Sequence, residues 1–188
     1  MEPRTIFFVG KPGSGKGDQA KLLASVTGWR IFTPGAQFRA MAEEQTFLGR
    51  KVKSVIDAGG LLPHWLVEYV FLKNLLALAD GESVIFDGFA RRAPEAEFIA
   101  ESLKWLDRPF SVVNLTVSDE EIQHRLALRK ETEGRADDIV VDARLKEYRE
   151  HTEPAIETFR RAGNVLDIDG ERAREPIAED IRAKLDIK

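Results

Sequence analysis

Short apolar runs alternate along the chain with longer stretches whose apolar positions recur every three or four residues. The runs predict strands over residues 5–9, 30–32, 83–86, 111–117 and 164–168. The stretch 83–86 is continuous in apolar character rather than alternating, as a strand covered on both faces must be. Helical spacing predicts helices over 15–26, 36–44, 49–58, 63–79, 94–105 and 118–130, one ending near 161, and a last over 174–185. Five short strands separated by helices imply an α/β domain, a parallel sheet flanked by helices on both faces. Ligands of such sheets lie beyond the carboxyl ends of the strands, so the polar residues that follow strands carry the functional information. The longest apolar stretch, 61–79, is broken by His64, Glu68, Lys73 and Asn74. A membrane span needs about 20 nearly uncharged residues, so this is a buried or amphipathic helix.

Composition narrows the field further. A length of 188 residues suits one compact domain. The net charge of −4 gives no general reason to bind nucleic acid, whose partners usually show a basic face. The chain has no cysteine, which excludes disulfides, thiol catalysis and a Cys-based zinc site, and fits a reducing, cytoplasmic setting. His64, His124 and His151 lack metal-ligand spacing and are expected at the surface or its boundary. Residues 1–4 lead straight into the first strand, so no secretory leader is expected.

Directly after that strand comes Gly10-Lys11-Pro12-Gly13-Ser14-Gly15-Lys16. Glycines let backbone N–H groups approach an anion, and a helix starting near Gly15 aims its unpaired amides and positive dipole end at the same point. Lys16 adds a mobile positive charge for the β- and γ-phosphates. A tight strand-to-helix turn without a ligand is the bland alternative. The general motif places Ser or Thr after the lysine, whereas this chain has Gly17 and then Asp18, whose carboxylate repels phosphate. After the strand over 83–86 stands Asp87-Gly88-Phe89-Ala90-Arg91. Asp87 is placed to hold Mg²⁺, through water, and the Arg91 fork to grip a phosphate. Arg125 and Arg129 lie one helical turn apart and share a face.

Gly-Lys-Gly at 15–17 and Asp-Gly-Phe-Ala-Arg at 87–91 resemble the signatures of adenylate kinases and related nucleoside monophosphate kinases. The resemblance covers nearly the whole chain. It implies a three-layer P-loop fold with a five-stranded parallel sheet, a core over 1–33, 81–129 and 139–188, a helical monophosphate-binding subdomain near 34–63, and a short lid near 130–138. It assigns ATP to Gly13, Ser14, Gly15, Lys16, Gly17, Asp18, Arg125 and Arg129. The segment 33–40 looks like the family's Ser-Thr-Gly-Asp-x-Leu-Arg-Ala, which places Pro34 and Arg39 at the acceptor. Gly60, Leu61 and Leu62 would line the acceptor base, with Gly88, Arg91 and Glu95 beside it. Arg135 and Arg144 match arginines that close over the transferring phosphoryl, so Lys16, Arg91, Arg129, Arg135 and Arg144 form the implied catalytic set. The implied activity is transfer of the γ-phosphoryl of Mg-ATP to AMP by a monomer whose partners are nucleotides.

Five positions depart from the family pattern: Asp18 for Thr, Pro34 for Thr, Ala36 for Asp, Ala90 for Pro and Glu95 for Gln. A glutamine both donates and accepts, as adenine requires, whereas an ionised carboxylate only accepts and suits guanine N1 and N2 or the cytosine amino group. Glu95 is therefore either a base reader favouring GMP or CMP, or an exposed helix residue beside a base read by backbone alone. An active kinase and a catalytically weak nucleotide-binding relative are the two functional readings.

Overall fold

The computed structural model describes residues 4–58, 60–133, 141–163 and 165–187, of which 129–133 and 141–143 are described by their helical backbone alone. Strands β1 (Thr5–Gly10), β2 (Arg30–Phe32), β3 (Val84–Asp87), β4 (Phe110–Thr116) and β5 (Val165–Asp169) form a parallel sheet in the order β2-β3-β1-β4-β5. Central β1 is paired on both edges, with Phe8 opposite Asp87 of β3 and Gly10 opposite Leu115 of β4. From β1 the chain runs outward to β2, returns through β3, then crosses to the other side for β4 and β5. The connections that leave the neighbours β1 and β3 thus run in opposite directions, which opens a crevice at their carboxyl ends.

Helices α1 (Lys16–Thr27) and α9 (Arg174–Lys184) cover one face of the sheet, packing on Ile6, Phe8, Ile85, Val113, Leu115 and Ile168. The other face meets α4 (His64–Leu75), α5 (Ala93–Trp105) and α8 (Glu153–Arg161) around Phe7, Phe71, Phe86, Phe89 and Phe159. Phe86 is the hub of this cluster, stacked on Phe7 at 5.1 Å and meeting Phe89 edge-on at 5.1 Å between ring centroids. Burial on both faces explains why β1 and β3 read as apolar runs without alternation. The remaining helices are α2 (Pro34–Glu43), α3 (Phe47–Asp57), α6 (Asp119–Glu133) and α7 (Val141–Glu147).

The predicted elements form, with shifted ends. Helix α2 starts at Pro34, since proline's fixed φ suits a first helical position where its missing N–H costs nothing. Helix α3 starts at Phe47 because the Thr46 hydroxyl accepts the Gly49 N–H at 2.9 Å. Helix α4 stops at Leu75 instead of 79, where Leu76 turns into solvent and burial no longer supports the helix. Helix α6 runs to Glu133, so residues 130–133, expected in the lid, are helical. The helix expected to end near 161 contains a π segment, Tyr148–Thr152, between α7 and α8. Pro154 has no N–H and its ring crowds the Glu150 carbonyl, which widens the preceding turn. Among the described residues no helix is long and apolar enough to cross a membrane.

Candidate active site

The loop between β1 and α1 is shaped by close approach. At Gly10 a Cβ would lie 2.7 Å from the Leu115 carbonyl oxygen, so only glycine passes β4 this tightly. Gly15, at φ 88°, caps α1 with no side-chain hydrogen bond to the helix end. The amides of Lys16 and Gly17 have no carbonyl one turn back and face outward with the positive end of the helix dipole. Lys16 Nζ donates to the Lys11 carbonyl at 3.3 Å, across the same loop. From α6, Arg125 donates Nη1 to the Ser14 carbonyl at 3.4 Å while its Nε is held by Glu121 at 2.6 Å. An ammonium, a guanidinium and a helix N-terminus therefore meet at the carboxyl end of β1.

Asp87 ends the neighbouring strand, and the Gly88 N–H behind it donates to the Phe8 carbonyl of β1 at 3.1 Å. A Cβ on Gly17 would come 3.2 Å from Asp87 Oδ2, so a side chain there would press on the carboxylate. That contact gives a physical reason for glycine where the general loop carries Ser or Thr. Burial pushes the Asp87 carboxyl above the ordinary range; Lys16, Arg91 and Lys21 pull it back, and Asp18 adds to the rise. Its Oδ1 is buried without a hydrogen-bond partner in the described structure, as suits an oxygen that serves a cation or its water. Arg91 is exposed, its Nε 3.4 Å from the Gly88 carbonyl.

Glu95 overturns one expectation. It is buried rather than exposed, 3% accessible on the first turn of α5, and accepts the Arg91 N–H at 2.8 Å. Burial pushes its carboxyl up, against the pull of the Arg91 and Arg92 N–H groups.

A family model for adenylate kinase matches residues 8–164 of this chain. The chain belongs to the adenylate kinase family. It is 36% identical over 188 residues to an adenylate kinase of Maricaulis maris, covering 97% of this chain and 99% of the relative. Adenylate kinases of a Synechococcus strain (35% over 188 residues, 98% and 96% covered) and of a Thermus thermophilus strain (35% over 187 residues, 98% of each) are similar along their whole length. Membership makes the chain an ATP-dependent nucleoside monophosphate kinase with the three-layer α/β fold of that family.

The other residues that the family pattern singles out are spread more widely. Gly13 packs against Leu126 of α6, 3.0 Å from where its Cβ would stand. Pro34 is buried at the start of α2, and Arg39 is exposed on the same helix, Nη1 beside Gly35. Gly60 is exposed, Leu61 half-buried, and the Leu62 side chain belongs to the aromatic core. Arg144 is half-buried on α7. Arg135 and the side chain of Arg129 lie outside the described residues. The sequence reading passed over Lys11, which donates to the Val117 carbonyl at 2.8 Å and pairs with Asp119, a carboxylate also engaged by Arg149. Thr152, whose hydroxyl donates to the Arg91 carbonyl at 3.3 Å, was likewise missed. Only the i,i+4 spacing of Glu121 and Arg125 was a usable local signal for such supporting contacts.

Proposed function

We propose that this protein transfers the γ-phosphoryl group of Mg-ATP to AMP, giving two ADP. The observation that carries the reading is the meeting of the α1 amides, Lys16, Asp87 and Arg125 at the carboxyl ends of the adjacent strands β1 and β3. Phosphoryl transfer between two nucleotides needs positioning and charge compensation rather than a protein nucleophile, because the acceptor phosphate supplies the attacking oxygen. In this reading Gly13 to Asp18 and Lys16 hold the ATP phosphates, while Arg125 and Arg129 cover the donor. Pro34, Arg39, Gly60 to Leu62, Gly88, Arg91 and Glu95 form the acceptor side. Arg91, Arg129, Arg135 and Arg144 offset the charge of the transferring group.

The Asp87 Oδ1, without a hydrogen-bond partner among the described residues, fits a magnesium site reached through water. Asp87 would hold the Mg²⁺ that accompanies ATP, and the ion would supply charge neutralisation at the phosphates. We assign residues 34–63 to acceptor binding and 130–138 to a lid that excludes competing water, in a cytoplasmic monomer without cysteine.

The test is a coupled assay of the purified protein with Mg-ATP and each of AMP, GMP, CMP and UMP. AMP is the expected acceptor, and Lys16→Ala should lower the rate at least ~100-fold with an unchanged circular dichroism spectrum. No turnover with any acceptor would sink the kinase reading. A preference for GMP or CMP would transfer the acceptor assignment to the base-reading role of Glu95.

A further inference from the structure

We propose that Glu95 and Thr152 are positioning residues that fix Arg91 by holding its backbone N–H and its carbonyl, on two successive peptide groups, an inference that rests on Arg91 being a phosphate-binding group. Arg91 lies in the link between β3 and α5. Just before it, Ala90 is fully buried and held at φ 58°, a left-handed conformation that non-glycine residues rarely adopt. Proline, the family residue at this position, is locked near φ −65° and cannot follow that path. The backbone of this chain therefore enters Arg91 along a route the family's own residue excludes, and a strained route persists only where its surroundings over-determine it.

Two contacts supply that determination. Glu95, third residue of α5, lays its carboxylate on the Arg91 N–H at 2.8 Å. The positive end of α5 favours an anion there, which offsets part of the burial cost. On the next peptide group the Thr152 hydroxyl donates to the Arg91 carbonyl at 3.3 Å. Thr152 closes the π segment that follows α7, the helix carrying Arg144. The two peptide groups that flank the Arg91 Cα are thus held, one by the acceptor-side helix and one by the segment that follows α7. The Arg91 guanidinium makes a single long hydrogen bond among the described residues, to Gly88 at 3.4 Å. Its aim is set by its backbone.

Loosening that backbone should spread the guanidinium over more positions and weaken transition-state contact more than ground-state binding. Steady-state kinetics on Glu95→Ala, Glu95→Gln, Thr152→Val and Thr152→Ser test this, each in wild-type and Arg91→Ala backgrounds. In the wild-type background Glu95→Ala should lower kcat about tenfold with the ATP KM within about twofold. Glu95→Gln should recover most of the rate, because the amide oxygen accepts the same N–H. Thr152→Val should cost several-fold and Thr152→Ser restore it. In the Arg91→Ala background none of the four should have a further effect. Thr152 is half-buried at the protein surface, so its pair of variants carries the test even where Glu95→Ala does not fold. Equal losses in both backgrounds overturn the proposal, as does a change confined to the AMP KM or to acceptor choice. An Arg91→Ala enzyme of full rate overturns the phosphate-binding role of Arg91 itself, which is a separate result.

Discussion

Asp18 is the residue whose charge runs most directly against its setting. A carboxylate about 5 Å from a phosphate charge costs roughly 3 kcal/mol at an effective dielectric of ~20, on the order of 100-fold in affinity. The structure lowers that expectation, because Asp18 is exposed on the first turn of α1 and water screens it. Its charge still reaches Asp87, whose carboxyl it helps to raise. Asp18→Thr should therefore tighten Mg-ATP binding several-fold, short of the unscreened limit, as read by calorimetric titration. An unchanged dissociation constant would mean that the carboxylate faces away from the nucleotide.

At the scale of elements, the first turn of α5 carries a pH-dependent cost. The folded Glu95 carboxyl titrates above its unfolded value because burial disfavours the charge. The fold then binds more protons than the unfolded chain, so this group lowers stability as pH rises from the ordinary glutamate value towards the folded one, and below that window the cost vanishes. Glu95→Gln should raise the urea midpoint at pH 7 and leave it nearly unchanged at pH 4 or below. A gain of equal size at both pH values would place its origin in packing rather than ionisation. The same helix shows why the sequence leaves the burial of Glu95 open. Its sequence position says which face it occupies only once Ala90 has turned the entering chain, and a left-handed alanine leaves no local sequence signal.

Over the whole molecule, stability centres on the aromatic layer between the sheet and α4, α5 and α8. Phe86 touches Phe7, Phe32, Phe71 and Phe89 and is fully buried. Phe86→Ala should cost about 3–5 kcal/mol, since close-packed rings cannot collapse into the space left behind. Urea unfolding measures it, and a loss under ~1 kcal/mol would show that the layer repacks freely. The layer lies directly beneath the strand ends that bear the P-loop and Asp87, so packing and site geometry share one foundation.

The sequence by itself determined what lies within short spans: five strands from their apolar runs, the phosphate loop from glycine and lysine spacing, and Asp87 from its place at a strand end. These are legible because backbone hydrogen bonding and glycine's freedom act between near neighbours. Tertiary structure alone decided which groups those residues meet. Thr152 reaches Arg91 across 61 residues, and Lys11 is drawn away to Asp119 across 108. Such contacts depend on how helices stack on the sheet, and side-chain packing sets that stacking only when the whole core assembles.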